Sequence, residues 1–244
     1  GRITILRGML RMEAEFRPKG MVFDFNGTLI DDTLIQREVW RRLFPVFMKR
    51  EMAEGEYEAR ILGNTNSVIL QFYFPGITPE REYAMLTRKE ALYREVMRED
   101  PARRIVFYPG VPETLDGLRE RRIPFTIATA SEITNVEFYF SDFGLGRWFA
   151  GPEEIVFDNG TFPGKPEPDI YRIAAKRLGL TPAECVVAED TLAGITAAKA
   201  AGMGRIFAIN PILNRAEILN DPEVYRVLPD FVGFTDRWDR NDFQ

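Results

Sequence analysis

The sequence predicts an α/β protein, a doubly wound parallel sheet of Rossmann-like type with an all-helical insert. Three observations predict it. Short apolar runs alternate with helical patterns from about residue 105 onward, the order that builds a parallel sheet with helices on both faces. One further strand-like run, Met21–Asp24, stands apart near the start, separated from the others by a stretch that reads as helix throughout. Acids, one lysine and one hydroxyl recur where the apolar runs end, and in open sheets of this kind the carboxyl ends of the strands form the ligand crevice.

The first run, Met21-Val22-Phe23, ends at Asp24. Phe25-Asn26-Gly27-Thr28-Leu29-Ile30 follows, and Asn-Gly is a strong turn signal. Asp31, Asp32 and Thr33 supply N-cap chemistry to a helix carrying Leu34, Val39, Trp40, Leu43 and Phe44. Pro45 is a point where that helix kinks. Helical patterns continue over Glu56–Leu62 and Ser67–Tyr73. The polar loop Leu62–Ser67 between them either reaches a site at the sheet edge or joins two helices, with Asn66 or Ser67 as N-cap. Thr78-Pro79-Glu80 opens a long helix to Arg98, with a capping Thr and Pro at the first helical position.

Ile105–Tyr108 is apolar and stops at Pro109-Gly110. Then come a helix (Val111–Arg122), a strand (Pro124–Thr129), a helix (Ile133–Ser141) and a short strand (Ile155–Phe157). A Gly/Pro-rich loop, Gly160–Pro168, leads into a helix, Asp169–Leu178, and a strand, Glu184–Ala188, that ends in Glu189-Asp190. Leu192–Ala201 is rich in small residues, suited to packing close on a sheet, and Arg205–Ile209 is a further strand. The expected organisation is a core of 18–32 with 105–244, a helical domain of 33–104, and an N-terminal extension of 1–17.

Composition narrows the function classes. Of 244 residues, 45% are hydrophobic and 28% charged, as in globular proteins. A net charge of −5 argues against nucleic acid or an anionic membrane surface as partner. No apolar run approaches the ~18 residues of a membrane span. The segment Ile3–Leu6 is too short for a signal-peptide core. The single cysteine, Cys185, excludes an internal disulfide and fits a reducing, cytoplasmic compartment; it reads as a buried, inert thiol. There is no histidine, so imidazole-based triads and His zinc sites are excluded. Carboxylates, lysine, hydroxyls and metal remain.

Those groups stand at four strand ends or loops: Asp24, Thr129, Lys165, and Glu189 with Asp190. Singly, each has an ordinary structural use as a cap or a solvated charge. Together they form a kit for an anion and a cation. Two carboxylates hold Mg²⁺, which prefers oxygen ligands. A lysine neutralises a phosphate, and a hydroxyl donates to it.

The stretches around them resemble the four motifs of the haloacid dehalogenase superfamily, in the subclass whose helical cap lies between the first and second motifs. Asp24-Phe25-Asn26-Gly27-Thr28-Leu29 resembles the nucleophile motif, and Ile127-Ala128-Thr129-Ala130-Ser131 the second. Gly164-Lys165-Pro166-Glu167-Pro168-Asp169 resembles the lysine motif of sugar-phosphate phosphatases and β-phosphoglucomutases, and Val186–Thr191 with Gly194 resembles the fourth. The likeness spans about 20–210. It implies Asp24 as the nucleophile of an aspartyl-phosphate. Gly27, Thr28, Thr129, Ala130, Ser131 and Lys165 would bind the phosphate. Mg²⁺ would sit between Asp24, Asp190 and the backbone carbonyl of Asn26, with Glu189 placing a metal-bound water or orienting Lys165. The implied substrate is a small phosphorylated metabolite.

One position departs from the family. Its phosphatases and mutases carry a second acid where this chain has Asn26. That acid protonates the leaving group and activates water, work worth roughly 10²–10⁴-fold, and an amide cannot transfer the proton. Dehalogenases and phosphonatases also lack it, but place Tyr or Ala there, and phosphonatases need a cap lysine. Lys49 and Lys89 read as helix-surface lysines. Three readings stay open: a Mg²⁺-dependent phosphatase, a phosphonatase-like or other C–X hydrolase, and a non-catalytic phosphate-ligand binder.

Overall fold

A computed structural model describes residues 15–99 and 106–244. Residues 1–14 of the expected extension, Ile105 and the expected 104/105 domain boundary lie outside the described residues. Six strands form one parallel sheet in the order β3-β2-β1-β4-β5-β6. They are β1 (Gly20–Phe23), β2 (Phe125–Glu132), β3 (Val156–Asp158), β4 (Cys185–Glu189), β5 (Arg205–Ile209) and β6 (Val224–Leu228). Order reverses at β1, between β2 and β4, which is the switch point where such sheets bind ligands.

The strands sort their side chains between two cores. Met21, Phe23, Ile127, Val186 and Phe207 enter one cluster, together with Leu115 of α4 (Val111–Glu120) and Val136 of α5 (Ile133–Phe143). Val22, Ala128, Val187 and Ile206 enter the other, with residues of α6 (Asp169–Arg177) and α7 (Leu192–Ala201). This is the period-2 alternation of strands buried on both faces.

Between β1 and β2 the described residues form the helices α1 (Thr33–Phe47), α2 (Asn66–Tyr73) and α3 (Pro79–Glu99), with α4 following after Gly110. The helical stretch has its own core of Trp40, Phe44, Tyr57, Ile61, Ile69 and Leu70. Tyr93 and Val96 instead join the sheet-side cluster. The chain leaves and re-enters the sheet layer at one place. Ile30 bridges Phe107, and Tyr108 N–H donates to the Leu29 carbonyl at 2.8 Å. No helix of the described residues is long and apolar enough to cross a membrane.

Several expectations need correction. Glu56–Leu62 is not an α-helix but a single π-helical turn, Tyr57–Ile61. Thr65, rather than Asn66 or Ser67, caps α2, accepting from Val68 N–H. Lys89 is not on the surface: it is 3% exposed and ion-paired with Glu90. Beyond residue 209 the chain adds α8 (Arg215–Asn220), β6 and α9 (Asp236–Arg240), which the sequence did not suggest. β6, Val-Tyr-Arg-Val-Leu, is an edge strand whose apolar residues are only partly buried and whose run is broken by the exposed Arg226.

Candidate functional site

Asp24 follows the last residue of β1 and is 8% exposed. Its N–H continues the ladder to the Ala188 carbonyl of β4 at 3.0 Å. Directly after it the chain turns, the Phe25 carbonyl accepting from the N–H groups of Thr28, Leu29 and Ile30. The turn needs glycine at position 27. Gly27 has φ +81°, and a Cβ there would stand 2.1 Å from Asp190 Oδ2. Thr28 is thereby set between two acids, its hydroxyl 3.1 Å from both Asp24 Oδ2 and Asp190 Oδ1.

Lys165 arrives from the loop before α6. Its ammonium donates to Asp24 Oδ1 at 2.8 Å, Glu189 Oε1 at 2.5 Å and the Ala128 carbonyl at 3.3 Å. Glu189 is fully buried, and its remaining acceptor capacity is taken. Tyr171 donates to Oε1 at 2.5 Å, and the N–H groups of Asp190 and Thr191 reach Oε2 at 3.0 and 3.3 Å. A Cβ on Gly194 would fall 1.9 Å from the Glu189 carboxyl carbon, so only glycine lets α7 approach this close. Thr191 caps α7 through Gly194 N–H; Asp190 does not.

The charges are unbalanced. Burial, and then the negative charge of Glu189, pushes the Asp24 carboxyl up despite the opposing Lys165. Burial, then Asp24 and Glu189, raises Asp190 well above the usual carboxylate range. Burial disfavours the Lys165 ammonium, but Asp24 and Glu189 outweigh it and hold its pKa above that of an ordinary lysine. Three acids thus surround one cation, and carboxylates this close ionise together only if a further positive charge joins them. Oxygens of Asp24, Glu189 and Asp190 lie within 4.8 Å of one another. The oxygens of Asp24, which is buried, and Asp190, which is partly exposed, fit a hard divalent cation such as Mg²⁺, while Glu189 is taken by Lys165, Tyr171 and two backbone N–H groups.

Asn26 takes part in a different network. Its Nδ2 donates to Asp32 Oδ2 at 3.1 Å and to Tyr139 Oη at 3.0 Å, with Tyr93 Oη 3.4 Å away. Its Oδ1 accepts from Ser131 Oγ at 3.2 Å. Asp32 Oδ2 also accepts from Tyr93 at 2.8 Å and Gln36 at 3.0 Å. Asp32, read from sequence as N-cap chemistry, makes no side-chain cap bond to α1. It is a buried acid beside the site. Asp31 accepts from Thr33 N–H instead.

Asp24, Gly27, Thr28, Lys165, Glu189 and Asp190 are therefore brought together, and Ser131 joins them through Asn26. The buried Thr129 hydroxyl accepts from Ser131 N–H at 3.1 Å and makes no bond to the acids or the lysine, and Ala130 is exposed. The sequence marked Asp32 only as a cap, and did not mark Gln36, Tyr93, Tyr139 or Tyr171. A cavity of about 140 Å³ opens beside Asn26, Gly27 and Asp190, and Leu62 and Gly63 of the α1–α2 connection line it. That loop does reach the site.

The profile of the haloacid dehalogenase-like hydrolases matches residues 18–202. The chain belongs to that family. Among its haloacid dehalogenase-like relatives is hexitol phosphatase A of Escherichia coli, 30% identical over 83% of this chain and 90% of the relative. A phosphorylated carbohydrates phosphatase of Thermotoga maritima is 28% identical over 82% and 89%. A haloacid dehalogenase hydrolase of family IA, variant 3, from Entamoeba histolytica superposes with a TM-score of 0.80 at 31% identity, covering 88% of this chain and 94% of that one.

Proposed function

We propose that the protein is a Mg²⁺-dependent phosphatase of a small phosphorylated metabolite, working through an aspartyl-phosphate on Asp24. The observation that carries this reading is the Thr28 hydroxyl between Asp24 and Asp190, with Lys165 tying Asp24 to Glu189. Relatives whose names specify phosphorylated carbohydrates support the substrate class.

Asp24 attacks phosphorus in line, the P–O bond to the leaving group breaks, and water then releases phosphate from Asp24. Lys165 holds the Asp24 carboxylate and meets the charge of the transferring group. Glu189 orients Lys165, because Tyr171 and two backbone N–H groups fix its carboxylate. Asp24, Asp190 and the Asn26 carbonyl would hold Mg²⁺, which stabilises charge on the phosphoryl oxygens. Asn26 keeps the turn but moves no proton, so leaving groups that need protonation leave slowly. The segment 33–104 serves as a cap, through Leu62 and Gly63.

The test is turnover of p-nitrophenyl phosphate and a hexitol phosphate with Mg²⁺ and with chelator. Turnover that needs the metal supports the reading. Its absence with both substrates overturns it.

A further inference from the structure

The cavity beside the acids suits the part of a substrate beyond its transferring phosphate, since Asp24, Thr28 and Lys165 do not line it. Its wall divides in two. At the inner end Asn26 and Gln36 both donate to Asp32 Oδ2, at 3.1 and 3.0 Å, and Tyr93 adds a third bond at 2.8 Å. Thr191 is engaged with Glu189 and with Gly194 N–H. The polar groups thus hold one another. The outer wall is Leu62, Leu192, Ile212 and Leu213. Leu62 comes from the helical insert, Leu192 from α7, and the other two from the connection between β5 and α8. Leu213 packs against Gly63, where a Cβ would stand 1.9 Å from Leu213 Cδ1, so two loops meet over the cavity. Ile212 stays half-exposed, and Asn214, at the mouth, faces solvent. No lysine or arginine side chain lines the space among the described residues.

Size and chemistry narrow what fits. The cavity measures about 140 Å³, and an apolar cavity of ~150 Å³ lined by Leu, Ile and Phe takes up benzene. Four aliphatic side chains favour an apolar ring. A hydroxyl pressed against them loses its water without gaining a partner. The reacting end imposes a second condition. Asn26 stands where an acid would protonate the leaving oxygen, so that oxygen departs as an anion. A phenol ionises at about 10, as tyrosine does, whereas an alkanol resembles water, at about 16. A phenolate therefore leaves unaided, and an alkoxide does not.

Resting on the phosphatase reading, we propose that the substrate is the phosphate monoester of a phenol, its single uncharged aromatic ring held by Leu62, Ile212 and Leu213. The Asp24 carboxylate attacks phosphorus, the bond from phosphorus to the ring oxygen breaks, and its electron pair leaves with the phenolate, which takes a proton from solvent. Water then displaces phosphate from Asp24, leaving one of its protons on the phosphate and giving the other to solvent. This class differs from the carbohydrates named for the relatives.

The probes are phenyl phosphate, cyclohexyl phosphate and a hexitol monophosphate. Calorimetry on the Asp24→Asn protein with Mg²⁺ reads binding without turnover. Phenyl and cyclohexyl phosphates should both bind about fivefold or more tighter than the hexitol compound. Cyclohexyl phosphate is of similar size but has an alkanol leaving group. In the wild-type protein kcat/KM for phenyl phosphate should exceed that for cyclohexyl phosphate by about 100-fold or more. Ile212→Asn, at a half-exposed position, should narrow the binding margin over the hexitol compound by about fivefold, and Leu62→Asn tests the wall from the helical insert in the same way. If neither phenyl nor p-nitrophenyl phosphate is turned over while the binding order holds, the phosphatase reading fails and the apolar pocket stands. Hexitol phosphate binding as tightly as phenyl phosphate, cyclohexyl phosphate turning over as fast as phenyl phosphate, or a binding margin unmoved by both variants overturns the inference.

Discussion

Asn26 and Asp32 form an amide–carboxylate pair, Nδ2 donating to Oδ2 across 3.1 Å. An aspartate at position 26 would put two carboxylates at that spacing, and such pairs do not both ionise freely. The amide at 26 is thus the electrostatic complement of the acid at 32. With asparagine at 26 this turn holds no proton carrier and no charge conflict with Asp32.

The first prediction uses that pairing. Asn26→Asp alone should speed hydrolysis of alkyl phosphates, because it restores a group able to protonate the leaving oxygen. It should also lower the melting temperature near neutral pH, where the new carboxylate faces Asp32. The exchanged variant, Asn26→Asp with Asp32→Asn, keeps one acid and one amide. It should recover the stability and keep a rate gain of about tenfold or more on alkyl phosphates, with little gain on p-nitrophenyl phosphate. An exchanged variant that folds and binds Mg²⁺ without faster alkyl-phosphate turnover counts against Asn26 limiting the chemistry.

Asp24→Ala should lower turnover by roughly 10⁴-fold or more, while circular dichroism and the melting curve report an intact fold. Phosphatase activity surviving in verified variant protein would contradict covalent transfer through this side chain.

Asp190→Asn should weaken Mg²⁺ binding by about 10–100-fold, since it removes one of the carboxylates grouped around the proposed ion. Titration calorimetry is the measurement, and an unchanged affinity places the metal elsewhere.

Gly194→Ala tests the packing under Glu189. A Cβ 1.9 Å from that carboxyl carbon forces either α7 or the carboxylate to move. The expected cost is about 1–3 kcal/mol by denaturant titration, with a fall in kcat because Lys165 loses its orienting partner. A variant of full stability and activity would show that α7 yields without disturbing Glu189.

Glu56 gives the pH test. The hydrogen bond from Arg50 is the largest influence lowering its carboxyl from 4.5 to about 2, with Ala53 N–H and Tyr73 adding to it. A depressed native pKa means that the unfolded chain binds more protons in this range, so stability rises with pH. The contribution is complete above about 4.5 and is lost as pH falls toward about 2. Arg50 is half exposed, so screening limits the gain to roughly 1–2 kcal/mol. Glu56→Gln should therefore be less stable than wild type at pH 7, the difference shrinking below about 4.5 and closing only as pH falls below about 2. A difference that persists there would show that charge is not its cause.

Much of the site was legible because strand ends are legible. Asp24 and Asp190 close runs that are apolar on both sides, and parallel pairing through β1 and β4 brings them together whatever the helices do. Lys165 could be placed because its loop enters α6, which packs over β1 and β2. The tyrosines could not. Tyr93, Tyr139 and Tyr171 sit at helical spacing among apolar residues and read as buried faces, which they are. Where each hydroxyl points is a tertiary fact. Asp32 was hidden for the opposite reason: an acid before a helix is the commonest of caps, and only Asn26, Gln36 and Tyr93 reveal its other use. Lys89 looked like one charge among many on a polar helix, until Glu90 and Tyr93 enclosed it.

The bridge between Ile30 and Phe107 has a consequence for assembly. It holds together the two ends of a chain segment of roughly 75 residues, and closing a segment that long costs only about 2 kcal/mol more than closing a ten-residue connection. A sheet of this kind is accordingly indifferent to how much chain hangs from that point. A replacement of other length, joined at the same two positions, would leave β1 and β2 free to pair, but would have to supply the apolar contacts that Ile35, Val39, Tyr93 and Val96 now give the sheet-side cluster. It would also change the wall of the cavity to which Leu62 and Gly63 now contribute.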